Sequence, residues 1–113
     1  MKIKLKRVYD VPEESDGVRV LVERLWPRGL SKEKAKVDIW LKEAAPSTDL
    51  RKWFNHDKDK WEEFKQRYYS ELDNNRLSLE PIFEISSDKN ITFVFASKEN
   101  RFNNAAALRD YLT

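Results

Sequence analysis

Arg24 and Arg28 are the residues whose type and spacing most suggest chemistry. They close the stretch VRVLVERLWPRG, which runs from Val18 to Gly29. A guanidinium presents a planar fork of N–H donors that pairs two-to-two with carboxylate or phosphate. Each such charge-assisted bond contributes about 1.5–3 kcal/mol. A second polar set, Ser97, Lys98, Asn100, Arg101 and Asn103, follows the apolar run ITFVFA at 91–96. If the two loops meet, Ser97, Lys98 and Asn103 complete an anion pocket begun by the arginines. The competing roles are structural: the arginines bracing their own loop, and Asn103 acting as a helix N-cap.

The elements around these loops decide whether they can meet. Val18, Val20 and Val22 alternate with Arg19, Leu21 and Glu23, so they face opposite sides of a strand. Such an apolar, β-branched run belongs inside a sheet covered on both sides. Trp26-Pro27 ends it, Gly29 allows a positive φ at the corner, and Ser31 caps a short helix to Lys34. Lys2 to Tyr9 alternates between apolar and basic residues and reads as a strand nearer the sheet edge. Ile91 to Ala96 is the third strand. Ligands in open α/β sheets collect at the carboxyl ends of the strands, where both polar loops would lie.

Between the strands the pattern is helical. Val11 to Gly17 is a loop whose Asp16-Gly17 supplies a turn, and Lys36 to Ala45 is expected to be irregular or helical. Ser47 or Thr48 caps a helix carrying Leu50, Trp53 and Phe54 on one face. Asn55-His56-Asp57 breaks it. Asp57 or Asp59 opens the next helix, Asp59 with Glu62 resembling a capping box, and there Trp61, Phe64, Tyr68 and Leu72 form the strongest 3.6-residue period in the chain. Tyr69 lies off that stripe with a polar tip free to reach a pocket. Ser78 looks like a further cap with Pro81 in the first turn. Asn103 to Leu112 closes the domain. The expected fold is a single compact α/β domain over 1–113, with a small, mostly parallel sheet of about three core strands flanked by helices in Rossmann-like layering.

Bulk composition narrows the function. The chain has 113 residues, enough to bury one core without metal or disulfide staples. It has no cysteine, so thiolate zinc sites and cysteine nucleophiles are excluded. Its single histidine, His56, excludes a histidine-rich metal site, and no metal or cofactor is indicated. Only Gly17 and Gly29 are glycine, which rules out Walker and dinucleotide phosphate loops. No run approaches a membrane span and the start does not read as a signal peptide, so a soluble cytoplasmic protein is expected. A formal charge of +2 is far from that of a dedicated nucleic-acid binder, although Lys and Arg gather in the first 36 residues.

The quoted segments also carry a resemblance. KRVYD (6–10), SDGVRVLVERLWPRGLSKEK (15–34), APSTDLRKWFNHD (45–57), WEEFKQRYYSEL (61–72) and the terminal strand, loop and helix are similar to the domain of unknown function 488 family, in its YeaO-like branch. The resemblance covers nearly the whole chain and implies a single α/β domain without bringing an activity. Relatives often place a histidine near the asparagine of the last loop, where this chain has Phe102 and Asn104.

Three readings of function follow. The first is a protein, enzyme or not, that binds a small phosphate- or nucleotide-like anion through Arg24, Arg28, Ser97, Lys98 and Asn103. The second is a nucleic-acid-binding module using Lys2, Lys4, Lys6, Arg7, Lys32, Lys34 and Lys36 as a basic strip. The third is a protein-interaction or structural subunit. The sequence assigns no catalytic residues: Ser97 lacks a glycine-flanked elbow, and no pair of carboxylates is spaced to converge.

Overall fold

The computed structural model describes residues 2–113. Four strands, β1 (Ile3–Arg7), β2 (Val18–Leu21), β3 (Ile39–Trp40) and β4 (Ile91–Phe95), form one sheet in the order β1-β4-β2-β3. Every neighbouring pair is parallel. The α/β class is as expected, with four strands instead of three. The extra strand falls inside Lys36–Ala45, where an irregular or helical segment was expected. It is only two residues long, too short for periodicity to reveal, and it forms because it has β2 as a partner.

The last strand in sequence is the middle of the structure. All five residues of β4 are buried, as a strand covered on both faces requires. β1 lies at the edge, in keeping with its basic residues, of which Lys4 is exposed and Lys6 and Arg7 are half-buried. One sheet face carries the main core, built from Val20, Val22, Phe93 and Phe95 against α2 (Thr48–Phe54), α3 (Trp61–Asp73) and α5 (Asn104–Leu112). The opposite face is covered more thinly. Val8, Leu21 and Val94 meet Ala35 of α1 (Lys32–Ala35) together with Trp26, Leu30 and Val37. The alternation read from the sequence is therefore kept, with Val20 and Val22 facing one core and Leu21 the other.

Capping is local and legible in part. Ser31 accepts from the Lys34 N–H, Ser47 from Leu50 and Asn103 from Ala106, as N-caps do. Gly29 adopts φ 75°, as the corner requires. Of the two aspartates expected to open α3, Asp57 is the one that caps the turn before it, accepting from the Asp59 N–H. One cap differs from expectation. Ser78 instead donates its hydroxyl to the Asn75 carbonyl within a 3-10 turn, and the short helix α4 (Glu80–Phe83) starts after Leu79. Within α3, Trp61, Phe64, Tyr68 and Leu72 are buried, and the Tyr68 hydroxyl donates to the Ala44 carbonyl at 2.5 Å. Tyr69 is also engaged, donating to the Ala107 carbonyl; burial, then Asp110 and Glu62, push its pKa up to about 12.

A buried ion pair ties the amino-terminal end of β2 to the core. Arg19 is 3% exposed and Asp16 2%, with 2.6 Å between Arg19 Nη1 and Asp16 Oδ2. Arg19 also donates to the carbonyls of Ala35 and Lys36, while Asp16 accepts from Lys6 and the Glu13 N–H. Asp16 is thus more than a turn former. Beside it Gly17, at φ 67°, leaves no room for a side chain, because a Cβ would lie 2.2 Å from the Asn90 carbonyl oxygen. Burial pushes the Asp16 carboxyl up, but Glu13, Lys6 and Arg19 outweigh it and hold it below the ordinary range. A depressed carboxyl pKa stabilises the fold above the unfolded value of 3.8, and that contribution is lost as the pH falls through the folded value. Replacing Asp16 by Ala strands the buried guanidinium, and urea unfolding at neutral pH should show a loss of about 3–5 kcal/mol. The deficit should shrink in acid.

Candidate functional site

The carboxyl ends of β2 and β4 do meet, and the residue that joins them is Glu23. The parallel register sets Leu21 opposite Val94, which brings Glu23 beside Ala96 two residues later. Glu23 Oε2 accepts the Ala96 N–H at 3.0 Å and Oε1 faces Asn104 Nδ2 at 3.4 Å. The Glu23 carbonyl accepts from Trp40 Nε1. One residue therefore links the ends of β2, β3 and β4 and the start of α5.

Next to Glu23 opens a pocket of about 280 Å³ lined by Arg51, Phe54, His56, Ser97, Phe102 and the asparagines 103 and 104, among others. Arg51 and Phe54 are three apart on α2 and so share a face. Asn55 and His56 then both take left-handed backbone angles, φ 46° and 56°, which turns the chain at the pocket rim. Phe102 forms the opposite wall and is held edge-on by Trp61, with ring centroids 5.4 Å apart. Arg51 is the unusual member. Its Nε is buried and, among the described residues, has no hydrogen-bond partner. A buried guanidinium donor normally finds an acceptor, because leaving it unmade costs about 1–3 kcal/mol.

The five residues expected to bind an anion separate in space. Ser97 and Asn103 line this pocket. Asn103 is also a true cap, and its amide nitrogen donates to the Glu99 carbonyl at 2.8 Å. Arg24 turns away into a different depression and braces the loop before α2, donating to the carbonyls of Ala45 and Pro46 at 3.0 and 3.1 Å. Arg28 and Lys98 are exposed and line neither this pocket nor the depression that holds Arg24. The expected union of Arg24 and Arg28 with the second loop therefore does not form. Glu23 and Arg51 line the pocket with Ser97 and Asn103 instead. Glu23 is visible in the sequence as a carboxylate at a strand end, whereas sequence reasoning missed Arg51, which no local pattern sets apart from the other cations of the chain. The basic strip is partly consumed as well. Lys4 donates to the Ser15 carbonyl, Lys6 to Glu13 and Asp16, and Arg7 to the carbonyls of Ala96 and Ser97.

No group of three or more His, Asp or Glu among the described residues is arranged to hold a metal ion. No helix among them is long and apolar enough to cross a membrane.

Fold and pocket together define a small parallel α/β domain with a polar site at the carboxyl edge of its sheet. The chain belongs to the DUF488 family: a family model described as "Inactive DUF488-N3 subclade" matches residues 2–113. It is 39% identical over 112 residues to the uncharacterised protein YeaO of Escherichia coli K12, covering 99% of this chain and 97% of that protein. It is 35% identical over 111 residues to the uncharacterised proteins Mb3100c of Mycobacterium bovis and Rv3073c of Mycobacterium tuberculosis, covering 98% of this chain and 93% of each. No solved structure matches.

The two arginines should behave oppositely on substitution. Arg24→Ala leaves the Ala45 and Pro46 carbonyls short of donors and should cost about 1–3 kcal/mol in urea unfolding. Arg51→Met keeps the aliphatic stem, removes an unpaired buried donor, and should cost nothing or stabilise. Glu23 gives a pH test. Burial raises its carboxyl, against the lowering effects of the Ala96 N–H and Arg51. An acid with a raised folded pKa contributes most below its unfolded value and loses that contribution as the pH rises through the folded one. Glu23→Gln, which keeps an acceptor for Ala96, should therefore stabilise at pH 7 by about 0.5–2 kcal/mol. Thermal melts across pH should show the gain vanishing below about pH 4, where both states are protonated.

Proposed function

We propose that this domain binds a small anionic ligand, phosphate- or nucleotide-like, in the pocket between Glu23, Arg51 and the start of α5. The observation that carries this reading is the guanidinium of Arg51, which lines a space of about 280 Å³ and keeps a buried Nε without a hydrogen-bond partner among the described residues. That volume is at the lower end for small-molecule sites, so the ligand is a compact molecule or a fragment of a larger one. The positive end of the α5 dipole lies at the same rim and favours negative charge there by about 0.3–1 kcal/mol. Ser97 and Asn104 add polar contacts, and Phe54 and Phe102 supply apolar walls.

Binding without turnover is the form of this reading that we favour. The family description names an inactive subclade. The Ser97 hydroxyl is spent on the Glu99 carbonyl at 3.2 Å, which leaves it poorly placed as a nucleophile. Arg24, by contrast, is a bracing residue in this reading.

Thermal shift against a panel of nucleoside monophosphates, sugar phosphates and inorganic phosphate tests the proposal. A ligand at about ten times its Kd adds about 1.4 kcal/mol and should raise Tm by about 5 °C. Arg51→Met should abolish the rise while melting normally on its own. A flat panel for the wild-type protein, or a rise that survives Arg51→Met, would sink it.

A further inference from the structure

Glu23 and Arg51 carry opposite formal charges, line one pocket, and make no direct ion pair among the described residues. Each has unused capacity. An ionised carboxylate offers about four acceptor positions, and Glu23 uses two of them, on Ala96 and, at the longer 3.4 Å, on Asn104. Arg51 has five N–H donors, and its buried Nε is unpartnered. A pure anion would satisfy Arg51 but would bring a second negative charge beside a carboxylate already disfavoured by burial. A ligand with an acidic group at one end and an ammonium at the other satisfies both.

We propose that the pocket selects a small zwitterion, its carboxylate or phosphate on Arg51, its ammonium on Glu23, and its apolar part against Phe54 and Phe102. This rests on the anion-binding reading above and narrows it. The aromatic walls add a further attraction for the cationic end, because ring faces carry partial negative charge. The arrangement also accounts for a half-buried acid and a half-buried base kept unpaired in one pocket beside aromatic rings, amides and His56.

The test uses matched skeletons. Phenylalanine, 3-phenylpropionate and phenethylamine share a phenylethyl unit and carry both charges, the anion alone or the cation alone. 2-Aminoethyl phosphate and ethyl phosphate form the same comparison for phosphate, with inorganic phosphate as a plain anion. Titrations of the full chain are followed by amide NMR shifts of Ser97, Asn103 and Asn104. In at least one series the zwitterion should bind about tenfold or more tighter than its single-charge analogues. Glu23→Gln should erase that preference while the amide spectrum stays dispersed, and Arg51→Met should abolish zwitterion binding. If the plain anions bind as well as the zwitterions, or the preference survives Glu23→Gln, the zwitterion proposal fails and the anion reading stands. If no probe of any kind moves the pocket amides, both fall.

Discussion

The structure depends on the burial of one strand from end to end. Ile91 to Phe95 has a parallel neighbour on each side and side chains packed on both faces. A parallel neighbour cannot be reached by a tight turn, so the chain must cross over the sheet between strands. Those crossovers carry the aromatic helices, and they place them on the face formed by Val20, Val22, Phe93 and Phe95. Because all the strands point the same way, their carboxyl ends open on one rim, and the polar loops share it.

The pocket is a by-product of that register. Pairing Leu21 with Val94 leaves Glu23 within reach of the Ala96 N–H, so a carboxylate closes the ladder where another strand residue would otherwise continue it. The aromatic core then fixes the pocket's far side. Phe54 stacks on Phe64 with centroids 4.3 Å apart, and Trp61 holds Phe102. Core packing and site geometry are thus one network: the rings that bury α3 are the same ones that set the distance between Arg51 and the loop after β4. A substitution in that aromatic cluster would be felt at both.

Charge in this protein falls into two kinds. At the amino-terminal end of β2, Asp16 and Arg19 are buried but fully partnered, by each other, by Lys6 and by backbone carbonyls. At the carboxyl end, Glu23 is only partly partnered and Arg51 keeps a bare donor. The first arrangement is what a fold needs to tolerate buried ions. The second costs stability, which a ligand would restore under the proposed function. This contrast, more than the number of arginines, separates satisfied from unsatisfied charge and motivates the proposed site.

Local features were legible in the sequence because they depend on near neighbours. The β-branched run at Val18–Val22, the caps Ser31, Ser47 and Asn103, the corner glycine at 29 and the aromatic period from Trp61 to Leu72 all follow from backbone and side-chain preferences within a few residues. The α/β class and the shared rim of the two polar loops followed from the same signals. Tertiary structure alone decided which arginine is spent and which is not. Arg24 and Arg51 look alike in sequence. The carbonyls of Ala45 and Pro46, more than twenty residues from Arg24, take up its donors, while Arg51 lines a pocket shared with the loop after β4 and keeps an unpartnered Nε. The partners of a long, flexible cation are set by distant chain segments, and no local pattern encodes where those segments will lie.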